Sequence, residues 1–146
     1  MKDIRPILLA EDSMADAEMA IDALRDANLA NDIVHVEDGV EALDYLLRRG
    51  RYADREPGLP AVLLLDIKMP RMDGLEVLQK LREDDSFNSL PIVILSSSRE
   101  ENDLARSWDM GVNAYVVKPV DVDQFFTAVK ALGKFWAVFN EAPAQE

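Results

Sequence analysis

Apolar residues in this chain come in short unbroken runs, and between the runs their spacing lengthens to the helical period. Ile7-Leu8-Leu9-Ala10, Ala61-Val62-Leu63-Leu64-Leu65 and Ile92-Val93-Ile94-Leu95 are continuous and bounded by polar residues or Pro. Such runs suit strands covered on both faces, as in a parallel sheet. Ile33-Val34-His35-Val36 and Asn113-Ala114-Tyr115-Val116-Val117 complete a set of five. Between them, Met14, Ala17, Ile21, Leu24 and Asn28 follow one helical stripe, Val40, Leu43 and Leu47 a second, and Leu75, Leu78 and Leu81 a third. Leu104 and Trp108 mark a fourth helix; Phe125, Val129, Leu132 and Trp136 mark a fifth. Ser13 precedes Asp16, and Ser98 precedes Glu101, at capping-box spacing, while Asp73 and Asp121 suit N-caps of helices three and five. Five strands alternating with five helices predict an α/β fold with a doubly wound, five-stranded parallel sheet.

In such a fold a ligand sits beyond the carboxyl ends of the strands. The residues just after the apolar runs are therefore the ones to inspect. They are Glu11-Asp12, Asp66, Ser96-Ser97-Ser98 and Lys118-Pro119. Three carboxylates brought together repel, and a hard divalent cation relieves them; oxygen-only donors suit Mg²⁺. Lys118 adds a point charge able to hold a phosphate oxygen. With that compensation Asp66 stays ionised and can attack phosphorus.

Composition closes off other chemistries. The net charge of −12, from 16 Lys+Arg against 28 Asp+Glu, disfavours nucleic acid and anionic lipid as partners. The chain has no Cys, so disulfides, thiolate metal sites and cysteine nucleophiles are excluded together. No apolar stretch nears the roughly 20 residues of a membrane helix, and the start is too short in apolar residues for a signal core, so the expected location is cytoplasmic. The single long polar loop runs from Arg48 to Pro60. Residues 1–140 read as one domain with an extended C-terminal helix, and 141–146 as a flexible tail.

Glu11-Asp12, the stretch Leu65-Asp66-Ile67-Lys68-Met69-Pro70-Arg71-Met72-Asp73-Gly74, Ser96, and Tyr115-Val116-Val117-Lys118-Pro119 resemble the response-regulator receiver family, whose fold is flavodoxin-like. The likeness runs from about Ile7 to Leu132. It implies a phosphoacceptor at Asp66 and Mg²⁺ held by Asp12, Asp66 and the Lys68 backbone carbonyl, with Glu11 acting mostly through water. Ser96 and the Ser97 amide would bind the phosphoryl group and Lys118 would grip one of its oxygens. Ser96 and Tyr115 would form the switch, and the Lys118–Pro119 bond would be cis. Lys68 stands where many relatives carry Asn or another residue. Ser96 stands where Thr is frequent, keeping the hydroxyl without the methyl.

The long loop and the Lys134-Phe135-Trp136 ending are similar to the small regulators that partner bacterial phytochromes. That narrower likeness implies a stand-alone regulator loaded by a sensor histidine kinase, a bacteriophytochrome, and acting through protein contacts. It also implies a homodimer through helix 4, strand 5 and helix 5, with Phe135, Trp136 and Phe139 as interface residues; the alternative is that these aromatics close the base of the core. A phosphohydrolase of the haloacid dehalogenase type would need a second Asp two residues after the nucleophile, where this chain has Lys68, so a phosphoacceptor switch is expected rather than an enzyme. A binding module that has lost phosphorylation would not need all five positions filled. His35, without an acidic or Ser neighbour in sequence, reads as structural.

Overall fold

The computed structural model describes residues 4–26, 29–97, 100–118, 121, 123, 124 and 127. Strands β1 (Ile7–Ala10), β2 (Ile33–Val36), β3 (Val62–Leu65), β4 (Ile92–Ser96) and β5 (Ala114–Val117) pair in parallel in the order β2-β1-β3-β4-β5. Helices α1 (Met14–Asp26), α2 (Gly39–Leu47), α3 (Gly74–Arg82) and α4 (Glu101–Asp109) alternate with them. The expected fifth helix falls largely outside the described residues; at its expected opening, the Gln124 amide donates to Asp121 Oδ1 at 2.6 Å.

The continuous apolar runs are explained by two cores, one on each side of the sheet. Leu8, Leu63, Leu65, Ile92 and Ile94 pack with α2 and α3 on one side. Ile7, Leu9, Leu64, Val93 and Leu95 pack with α1 on the other. Alternate side chains along a strand point to opposite faces, so a strand with helices on both sides must be apolar at every position. Burying one such Leu is worth about 2 kcal/mol.

The helical stripes differ from their sequence expectation in three of the four helices. α3 buries Leu75, Leu78 and Leu81 as expected, joined by Val77. α1 buries Ala17, Ala20, Ala23 and Leu24, while Met14 is exposed. Small residues let α1 lie close to the sheet, and the alanines carry too little apolar weight to announce the face. α2 buries Ala42, Leu43, Tyr45 and Leu46 and leaves Leu47 exposed. α4 turns Asp103 and Ser107 inward and leaves Trp108 51 % exposed.

Ser13 Oγ accepts from the Asp16 amide at 3.2 Å, and Asp73 closes a full capping box with Glu76. The Ser98 cap does not match the helix it was assigned to. α4 opens at Glu101, its N-cap is Glu100, and no side-chain cap bond is made there; Ser98 itself lies outside the described residues.

The loop from Arg48 to Pro60 is more ordered by side chains than its composition suggests. The Arg55 guanidinium stacks on the Tyr45 ring at 4.2 Å and donates to the Tyr45 and Glu56 carbonyls at 2.6 and 2.7 Å. Tyr52 meets Tyr45 edge-on at 5.1 Å and donates to Glu41 Oε2 at 2.9 Å.

Candidate functional site

Parallel pairing places the ends of β1, β3 and β5 on one rim, and the ladder continues one residue past each strand. The Glu11 amide donates to the Val36 carbonyl at 3.0 Å, Asp66 to Ala10 at 3.0 Å and Lys118 to Ser96 at 2.8 Å. The backbone of each reactive residue is thus held by a sheet bond while its side chain turns off the rim. A pair of rigid strands fixes such geometry better than a free loop would.

Glu11, Asp12 and Asp66 each bring a carboxylate oxygen within 4.8 Å of the others. Glu11 is 2 % and Asp66 5 % exposed, whereas Asp12 faces solvent. Lys118, 8 % exposed, reaches them from β5: Nζ lies 2.7 Å from Glu11 Oε1, 2.7 Å from Asp16 Oδ2 and 3.5 Å from Asp66 Oδ2. Every sequence-predicted acid of the rim and its lysine are therefore together. Asp16 was expected only beside the Ser13 cap; its place on the third position of α1, one turn past Asp12, is the signal that could have brought it in.

Burial pushes the Glu11 carboxyl from its ordinary 4.5 up to about 7, aided by the Asp66 charge and opposed by the bonds from Lys118 and the Ser13 amide. An acid with a raised folded pKa is disfavoured when ionised, so without a cation Glu11 erodes stability as pH climbs from 4.5 to about 7. Burial opposes the Lys118 charge as well, but the bonds to Asp16 and Glu11 and the Asp66 charge outweigh it and raise its pKa. The rim thus holds a fixed ammonium among acids that still carry surplus negative charge. An oxygen-only, acid-rich donor set of this kind fits a hard divalent cation.

The other predicted positions are placed as follows. Ser96 is fully buried at the end of β4, and Ser97, next along, is exposed. Tyr115 is half-buried on β5 and packs on the α2–α3 side of the sheet. The Lys68 ammonium lies 3.9 Å from Asp103 Oδ2 in the first turn of α4. Pro119, Phe135, Trp136 and Phe139 lie outside the described residues, so the cis bond and the aromatic interface do too. His35 Nε2 donates to the Glu11 carbonyl at 2.7 Å, a bond that ties β2 to the turn carrying the acids.

The loop after Asp66 is held by close backbone approach. A Cβ on Gly74 would stand 2.2 Å from the Asp66 carbonyl oxygen, and the Gly74 amide donates to the Ile67 carbonyl at 2.7 Å. Only glycine fits there. The far side of the loop is clamped to the next turn: a Cβ on Gly39 would lie 2.2 Å from the Met72 carbonyl oxygen. Arg71, at φ 65°, forms two bonds to Asp38 at 2.9 and 3.2 Å. That bidentate pair offsets the cost of a left-handed non-glycine residue.

The sequence profile of the response regulator receiver domain matches residues 7–130. The chain is 31 % identical over 138 residues to the response regulator Rcp1 of Synechocystis sp., covering 94 % of this chain and 92 % of that protein. A Mn²⁺-bound form of Rcp1 superimposes with a TM-score of 0.79, at 30 % identity over 96 % of this chain and 99 % of that one. The bacteriophytochrome response regulator RtBRR gives 0.86 at 51 % identity, with 97 % and 86 % of the two chains covered. The bacteriophytochrome response regulator AtBRR gives 0.82 at 54 %, with 96 % and 100 % covered.

Proposed function

Since the chain belongs to the response regulator receiver family of two-component systems, we propose that Asp66 accepts a phosphoryl group from a sensor histidine kinase in a Mg²⁺-dependent step. The observation that carries this reading is the meeting of Asp66 with Glu11, Asp12 and Lys118 on one rim. Asp12, Asp66 and the Lys68 carbonyl would hold the cation directly and Glu11 through water. Bound there, Mg²⁺ would neutralise charge on the transferring oxygens. An Asp66 oxygen forms the new P–O bond as the bond to the donor's leaving group breaks. Lys118, the Ser96 hydroxyl and the Ser97 amide hold the phosphoryl oxygens. Ser96 then draws toward the phosphoryl group and Tyr115 turns inward, changing the face made by α4, β5 and the chain beyond.

The donor is a bacteriophytochrome-type kinase, a reading supported by the likeness to RtBRR and AtBRR. The chain serves as a switch that carries signal by protein contact, and a homodimer through the changed face, with Phe135, Trp136 and Phe139 in it, is part of the same proposal. Among the described residues no helix is long and apolar enough to cross a membrane. Lys68, two residues after Asp66, supplies none of the acid chemistry that turnover of phosphate esters would need.

The test is intact mass after exposure to acetyl phosphate. With Mg²⁺ the chain gains one hydroxylamine-labile phosphoryl group; with chelator it gains none, and Asp66→Asn gains none in either. Equal labelling of Asp66→Asn would defeat the assignment. Phosphotransfer from a phytochrome-linked kinase, compared with an unrelated one, tests the partner.

A further inference from the structure

The geometry points to Asp16 as a competitor for the Lys118 ammonium, a positioning residue that holds the lysine toward α1 and so restrains the loading of Asp66. The inference rests on the acceptor role proposed above. An ammonium has three N–H donors, and here three carboxylates surround it. Glu11 and Asp16 are at 2.7 Å, while Asp66 is the distant one at 3.5 Å. A phosphoryl oxygen arriving on Asp66 must take a donor from one of them.

Asp16 is the acid placed to give way. Glu11 and Asp66 are buried, but the Asp16 side chain is 39 % exposed and exchanges lysine for water at little cost. Nor does its side chain close the capping box. In a capping box the carboxylate at its position would accept from the Ser13 amide, yet that amide donates to Glu11 Oε2 at 3.1 Å instead. Glu11 thus occupies Asp16's ordinary partner, and Asp16 turns to Lys118.

The experiment measures binding of beryllofluoride, a phosphoryl mimic, to the full chain in saturating Mg²⁺. Asp16→Asn is expected to bind about five-fold more tightly, the upper range for a part-exposed ion pair, and to load faster from acetyl phosphate at low concentration. Asp16→Glu, which keeps the charge, restores wild-type affinity. A merely structural role would lower the melting temperature and leave the beryllofluoride affinity alone. Asp16→Ser serves if Asn folds poorly. In the unaltered chain, the Asp16 carboxyl carbon resonance should move toward that of a free carboxylate as beryllofluoride is added. Unchanged or weaker binding by folded Asp16→Asn or Asp16→Ser, or a stationary resonance, overturns the inference while wild-type binding leaves the acceptor role standing. Failure of the wild type itself to bind overturns both.

Discussion

α3 and α4 are neighbours of equal length, nine residues each, and the fold treats them in opposite ways. α3 opens on a full capping box and buries four apolar side chains. α4 opens without a side-chain cap and buries Asp103 and Ser107. The Ser107 Oγ is, among the described residues, the one buried side-chain polar atom without a hydrogen-bond partner. An orphaned hydroxyl costs about 1–3 kcal/mol, while each apolar side chain of α3 returns about that much. The lesson is a division of labour. The helix that follows the acceptor loop is capped and packed through apolar side chains, and the helix that follows Ser96 turns polar side chains inward.

Substitutions can break or sharpen this contrast. Leu78→Ala, at a fully buried position of α3, should cost about 3 kcal/mol by denaturant unfolding; a loss under 1 kcal/mol would remove the packed half of the comparison. Asp73→Ala should cost about 1 kcal/mol, because both halves of the capping box go with it. Ser107→Ala is expected to be neutral or to stabilise by up to about 1 kcal/mol, since it deletes the unpartnered hydroxyl. Clear destabilisation there would mean that α4 is better satisfied than its geometry indicates. Trp108→Ala should shift unfolding least, within about 0.5 kcal/mol, as the ring lies mostly in solvent.

The same contrast governs what could be read in the residues. α3 was legible because leucines at helical spacing and the Asp73 cap stand in the sequence itself, and the structure adds Glu76 as the other half of the capping box. α4 misled because its apolar pair, Leu104 and Trp108, is not what it buries; the inward face is polar and carries no hydrophobic signature. The strands and the rim acids were legible for one reason: in a doubly wound sheet, position after a strand is position at the site. Asp16 escaped because a helix-start acid looks like a cap, and only the three-dimensional diversion of the Ser13 amide to Glu11 reveals its other partner. Arg55 escaped too, since nothing local marks an arginine in a polar loop as the group that stacks on Tyr45.

The close approach of Gly39 to Met72, with Arg71 locked on Asp38, has a bearing on descent as well as on shape. Two turns that share van der Waals contact at the backbone cannot drift separately. A lineage that gives up the glycine in one must redraw the other in the same stroke, and the acceptor loop, which continues from it, inherits that restraint. Variation in this protein should therefore gather elsewhere, as at the solvent-facing Glu18, Asp22 and Arg25 of α1, where a change of side chain asks nothing of the neighbouring backbone.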